Sequence, residues 1–168
     1  GILTQIGSPV VVGTDPRSLS ITPDGKYIYI AEFNANHLTP YAFDQSTGGV
    51  TTGSFVSILS APESVIVHPT GKYLYVAYTA GGPLGSISGY SINATTGAIT
   101  IINTATNAAI SPNRFTIDPT GKFGYSSNYT AGSVTLFTID PTTGVVTTGA
   151  SYSPGGNPNG IFVTGVNP

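Results

Sequence analysis

The residues of this chain that could do chemistry are few, and several of them share one position in a repeated pattern. The sequence has five lysines and arginines, seven aspartates and glutamates, and two histidines among 168 residues. Directly after a recurring proline stand Arg17, Glu63, Asn113 and Asn159, and Arg114 follows one residue later in its repeat. Because arginine binds a carboxylate or sugar acid bidentately, these residues predict a binding site for an acidic small molecule if the fold brings them together.

The elements that must position these residues are copies of one repeat. The segment 16–27 returns as 62–73 and again as 112–123, and a fourth copy starts at 158. A Thr-Gly pair followed by a short apolar and Thr-rich run recurs in step with it, which is typical of a repeat architecture. Counting from the glycine of that pair predicts a single domain made of units 1–47, 48–96, 97–143 and the incomplete unit 144–168.

Each unit predicts four short strands. An apolar run ends at Pro-(Asp/Thr)-Gly-Lys, where proline and glycine favour a tight turn, and an alternating aromatic strand follows. A third strand ends before Thr-Gly, and the Thr-rich run is the fourth. With 22 Gly and 13 Pro disfavouring helices, the chain is predicted to be all-β, a β-propeller of four-stranded antiparallel blades with about 3.5 repeats. A β-sandwich is the alternative, but it gives no reason for such strict repetition.

The repeats resemble a known family. The stretches 66–77 (IVHPTGKYLYVA) and 117–128 (IDPTGKFGYSSN) are similar to the seven-bladed lactonase-like propellers, which include 6-phosphogluconolactonase-like proteins and surface-protein repeats named for a Tyr-Val-Thr-Asn motif. The resemblance covers essentially the whole chain and implies that it is part of a seven-bladed propeller. The strand-ending Asn of the motif is matched only by Asn128, with Glu32 and Tyr78 at the other two places. No family catalytic set is carried across.

In a propeller the first strand of each blade lines the central axis, so the residues that start it face the channel mouth. The predicted ligand-binding site therefore lies at that mouth and contains Arg17, Glu63, Asn113, Arg114 and Asn159. The simpler alternative is an ion pair satisfied within the protein, together with hydrogen bonds between blades, and we favour it over ligand binding.

The residues alone assign no catalytic group. His68 is a base by type, but it stands where Thr22 and Asp118 stand in the sister repeats, so it is predicted to cap a turn. His37 starts a third strand and is predicted to be a surface residue. The spacing of the histidines and carboxylates matches no metal site, and no cofactor-binding motif is present, so neither a metal nor a cofactor is predicted.

The amino-acid composition limits which binding partners and which cellular location are expected. Charged residues make up 7 % of the chain and the net charge is −2, so nucleic acid is not an expected partner. No apolar run is long enough for a membrane-spanning helix. Absent cysteine and methionine and low charge suggest an extracellular or cell-surface protein.

Three functions are compatible with these observations. The main prediction is a non-catalytic extracellular or cell-surface propeller, a binding or structural module for an unknown protein or carbohydrate ligand. The alternative is a lactonase-like hydrolase in which Arg17, Glu63 and Arg114 bind a sugar lactone. The third is self-association through incomplete blades at 1–12 and 160–166, because open sheet edges pair readily with other strands.

Overall fold

The fold is built entirely from strands. The computed structural model describes residues 1–5, 7–59, 61–79, 85–105 and 111–164. These residues form thirteen strands in three antiparallel sheets and contain no helix, and so none that could cross a membrane. The predicted all-β class and the partial propeller are thereby confirmed.

Each sheet is one blade, with its strands in chain order from the inside outward. The first blade contains β1 (Pro16–Ile21), β2 (Tyr27–Glu32), β3 (His37–Phe43), β4 (Val50–Thr52) and β5 (Val56–Ser57). The second contains β6 (Pro62–Val67), β7 (Tyr73–Tyr78), β8 (Ser86–Ile92) and β9 (Ile99–Ala105). The third contains β10 (Pro112–Ile117), β11 (Phe123–Asn128), β12 (Ser133–Ile139) and β13 (Val146–Tyr152).

The turns form where the repeat predicts them. Gly25, Gly71 and Gly121 join the first and second strands of their blades with φ of 71°, 72° and 75°, a left-handed conformation that favours glycine. The outer strand of each blade follows the Thr-Gly pair and therefore comes from the next sequence unit. A blade thus runs from proline to proline along the chain.

The ends of the chain differ from the prediction. Residues 1–4 match the Thr-rich run and 160–163 match the first apolar run, so the repeat predicts a fourth and a first strand there, but neither run is a strand. A strand needs a partner for its backbone hydrogen bonds, and the described residues hold no further sheet for these runs to join. Residues 165–168, which end the incomplete fourth unit and the expected edge 160–166, lie outside the described residues.

Two apolar layers hold the three blades together. The layer between the first and second blades contains Tyr29, Leu38, Val65 and Leu74, and the layer between the second and third contains Tyr75, Phe115 and Phe137. Each layer is formed by one face of a blade packing on the opposite face of the next, as in stacked sheets.

Hydrogen bonds repeat across both junctions. The Tyr29 hydroxyl donates to the Gly97 carbonyl at 2.9 Å, and the Tyr75 hydroxyl donates to the Gly144 carbonyl at 3.0 Å. Both acceptors belong to the Thr-Gly turn of the following blade. The repeated aromatic residues of the second strand therefore contribute both to packing and to the docking of one blade on the next.

His68 adds a further hydrogen bond at the second junction. Its ring is fully buried, and Nε2 lies 2.8 Å from the Gly121 carbonyl in the third blade. The Thr70 N–H donates to Nδ1 at 3.1 Å, so Nδ1 is the acceptor and Nε2 the donor. His68 therefore caps its turn, as predicted, and also joins two blades.

Candidate active site at the mouth of the central channel

A β-bulge occurs at the start of the first strand in every blade. The cross-strand register shifts directly after the leading proline in each case. The residue left without a partner in the ladder is Arg17, Glu63 or Asn113. Bulges re-aim a side chain, and they are frequent next to active sites.

The residue before each proline holds the bulge in place. Asp15, Ala61 and Ser111 have φ of 56°, 55° and 62°, which is unusual for residues other than glycine. Their carbonyls accept the N–H of the residue that follows the second strand, for example Phe33 N–H to Asp15 O at 2.9 Å. The same backbone frame is therefore built three times around the axis.

The first strands of neighbouring blades lie side by side. The Val65 N–H donates to the Ser18 hydroxyl at 3.1 Å, and the Phe115 N–H donates to the Ser64 hydroxyl at 3.3 Å. The bulge residues of neighbouring blades consequently follow one another along the starts of the first strands, and their position at a channel mouth stays a prediction.

Arg17 is held on two sides. Its Nε and Nη2 donate to the two carboxylate oxygens of Asp15 at 3.1 and 3.0 Å, and its guanidinium lies 4.4 Å from the ring centre of Phe33. Its Nη1 is 3.9 Å from Glu63 Oε2. Asp15 is therefore the principal partner of this arginine, and Glu63 is the secondary one.

Glu63 is the most enclosed charged group of the mouth. Its side chain is 14 % exposed. Burial raises the pKa of the Glu63 carboxyl above its usual value, while the positive charges of Arg17 and Arg114 oppose that rise and the negative charge of Asp15 adds to it. A carboxyl in such surroundings can accept a proton closer to neutral pH than an exposed one.

The remaining predicted residues continue the ring. Arg114 Nη1 donates to the Asn113 carbonyl at 2.9 Å and to the Glu63 carbonyl at 3.5 Å. Asn113 Nδ2 lies 3.5 Å from Asn159 Oδ1. All five predicted residues thus form a chain of contacts, Arg17 to Glu63 to Arg114 and Asn113 to Asn159. Their role in binding stays a prediction.

Two neighbours of this ring were missed in the sequence. Asp15 precedes the leading proline and Phe33 follows the second strand, at places where no residue type recurs. The Asp-Pro-Arg order was the available signal, since an aspartate two residues from an arginine can pair with it.

The two histidines lie away from the ring. His37 stacks on Phe55 with ring centres 3.9 Å apart, and its Nδ1 is 3.8 Å from Oε2 of the buried Glu32. His68 is enclosed at a blade junction. The described residues contain no group of three or more side chains that could hold a metal ion.

Comparison with known proteins places the fold in a family. A family model described as lactonase, seven-bladed β-propeller, matches residues 1–68 and 59–163. The chain belongs to this lactonase family. The main prediction of a non-catalytic surface module is therefore wrong, and the alternative, a lactonase-like hydrolase, is the better supported one. The sequence matches none of the curated proteins.

Solved structures similar to this lactonase-family chain show the same fold. A candidate 6-phosphogluconolactonase from Bacteroides uniformis superposes with a TM-score of 0.74 at 20 % identity, covering 83 % of this chain and 41 % of that one. A second, from Bacteroides fragilis, has a TM-score of 0.74 at 22 % identity, covering 83 % and 39 %. The periplasmic gluconolactonase PpgL of Pseudomonas aeruginosa has a TM-score of 0.75 at 18 % identity, covering 89 % and 43 %. The chain spans about two fifths of the length of these structures.

Proposed function

We propose that this chain carries part of a lactonase active site at the mouth of its central channel. The observation that carries the proposal is the enclosed Glu63 carboxyl, 3.9 Å from Arg17 Nη1 and next to the main-chain carbonyl that Arg114 binds, in a chain of the lactonase family. The similar structures described as lactonases support the same reaction class. The proposed substrate is a sugar lactone with an acidic or strongly polar substituent.

Glu63 is the proposed general base. A water molecule attacks the lactone carbonyl carbon while the carboxylate takes one of its protons, and the ring C–O bond of the resulting tetrahedral intermediate then breaks. The ring oxygen takes up the proton that Glu63 accepted and leaves as an alcohol, so the base is restored and the product is a hydroxy acid. Burial of Glu63 supports this role, because a base works best when its pKa is near the working pH.

The arginines are the proposed substrate-binding groups. Arg114 uses one nitrogen for backbone carbonyls, which leaves its other N–H groups for a substrate oxygen. Arg17 Nη1 faces Glu63 and can donate a hydrogen bond to an oxygen of the bound lactone. Asn113 and Asn159 supply amides that suit sugar hydroxyls.

Lactone hydrolysis by the chain tests the proposal. A pH-stat records acid release from a sugar δ-lactone above the uncatalysed rate. Glu63→Gln is expected to lower kcat by about 100-fold, and Arg17→Ala to raise KM by about tenfold, in line with the loss of a general base and of a charged contact.

Asp24→Asn is the matched control, because Asp24 pairs with Lys26 in the turn at the opposite end of the first blade. It should leave turnover unchanged. Turnover that is equal in the wild type and in Glu63→Gln would refute the assignment of Glu63.

A location outside the cytoplasm is part of the same proposal. The absence of cysteine and methionine supports it, and the similar structure of PpgL is that of a periplasmic protein. The location is tested by fractionating cells that express the full-length protein, and recovery in the cytoplasmic fraction alone would overturn it.

A further inference from the structure

Asp15 differs from its counterparts in the other blades although the backbone there is the same. Ala61 and Ser111 occupy the equivalent positions with φ within a few degrees of that of Asp15. Because alanine and serine satisfy the same conformation, the turn does not require a carboxylate. The Asp15 side chain is therefore available for a role other than shaping the bulge.

The Asp15 carboxylate determines where the Arg17 guanidinium lies. Two hydrogen bonds of 3.0 and 3.1 Å form a fork, and Phe33 covers one face of the guanidinium at 4.4 Å. Only Nη1 faces Glu63, at 3.9 Å, which is too long for a hydrogen bond. Without the fork, the arginine could turn toward Glu63 and form a close ion pair with it.

Three charged groups act on the Glu63 carboxyl, namely Arg17, Arg114 and Asp15. Asp15 disfavours the ionised form of the Glu63 carboxyl in two ways. It occupies the Arg17 guanidinium, and its own negative charge disfavours the ionised form of Glu63.

We propose that Asp15 is a positioning residue of the candidate active site: it holds Arg17 back from Glu63 and so keeps the Glu63 carboxyl free to act as a base. This inference rests on the proposed function. It adds to that function a residue that acts on the proposed base through Arg17 rather than by contacting the lactone.

Titration of Glu63 by NMR tests the inference without relying on activity. The chain contains only two glutamates, Glu32 and Glu63, so ¹³C labelling of glutamate gives two carboxyl signals, and Glu63→Gln assigns them. In Asp15→Asn and Asp15→Ala, the Glu63 midpoint should shift to lower pH. Asp15→Ala copies the residue that the second blade carries at this position, so it keeps a backbone that the fold accepts.

The kinetic readout separates positioning from simple damage. In Asp15→Asn the acidic limb of the pH–rate profile should move to lower pH, and KM should rise about threefold to tenfold as Arg17 loses its orientation. Asp24→Asn removes another surface aspartate and should change neither the titration nor the profile.

The outcomes are distinguishable. An unchanged Glu63 titration in both Asp15 variants, or an equal shift in Asp24→Asn, would overturn the inference whether or not the chain hydrolyses lactones. A downward shift in the Asp15 variants without any turnover would uphold the coupling of Asp15 to Glu63 and reject the lactonase proposal.

Discussion

Replacing His68 with threonine tests how the second and third blades are joined. The change installs the residue that the first blade carries at the same place, Thr22, so the turn itself stays compatible with the fold. What is lost is the bond from Nε2 to the Gly121 carbonyl and the volume of a fully buried ring. An unpaired buried carbonyl costs about 1–3 kcal/mol, and a shortened buried side chain adds about 1 kcal/mol or more.

The expected loss is therefore about 2–4 kcal/mol of unfolding free energy. For a domain of this size, that corresponds to a melting temperature lower by roughly 6–12 °C. Urea unfolding followed by far-ultraviolet circular dichroism measures it, with tyrosine fluorescence as a second probe because the chain has ten tyrosines and no tryptophan.

The control is His37→Ser, which places at the start of β3 the residue found at the start of the other two third strands, Ser86 and Ser133. His37 is partly exposed and is not at a blade junction, so this variant should lose less than about 1 kcal/mol. If His68→Thr cost no more than His37→Ser, the blade-joining role of His68 would be refuted.

Three further predictions concern the turns and the exposed face of the first blade. Hydrogen bonds from Ser46 and Thr47 lower the pKa of Asp44 from 3.8 to about 2, so the ionised carboxylate stabilises the fold above pH 3.8 and this stabilisation is lost as the pH falls toward 2. The urea midpoint of Asp44→Asn should therefore lie below that of the wild type near neutral pH, and the two midpoints should converge as the pH falls from 3.8 to about 2. Gly121→Ala should cost more in thermal melts than Gly25→Ala, because the added methyl meets the enclosed imidazole in the former and a flexible glutamine side chain in the latter. Leu19 lies on β1 of the first blade and is 66 % exposed. If the chain self-associates through this side of the first blade, light scattering should give a mass above that of the monomer, and Leu19→Asp should restore the monomer mass. A monomeric wild type would contradict this prediction.

Most of the fold could be predicted from the sequence because the same pattern of strands and turns occurs in three complete repeats. Turn glycines and alternating aromatics recur at fixed places, and each recurrence supports the others. The repeat could not show that residues 1–4 and 160–163 form no strand. Their residues match the repeat, but a strand depends on a partner that the pattern of one segment does not report.

The candidate site was predicted by position but not in its geometry. The alignment of prolines brought Arg17 and Glu63 to one level of the fold, and their contact follows from blade packing. The bulge that aims them was not predictable, because its unusual backbone sits on Asp15, Ala61 and Ser111, which share no residue type. Nor does residue type show that Glu63 is enclosed, since that depends on the neighbouring blades.

Within a blade, the bulge is the position at which the residue type can vary without disturbing the packing between blades. Tyr29 and Tyr75 are held by packing and by hydrogen bonds to the next blade, so the same residue serves in both. A bulge residue has no partner in the cross-strand pairing, and the three blades carry arginine, glutamate and asparagine at this position with the same backbone conformation. Both charged bulge residues belong to the first and second blades, and Arg114 reaches the carbonyl of the second. A substrate that needs a base and a cation together is therefore expected to bind over the junction of those two blades, with Asn113 contacting its neutral part.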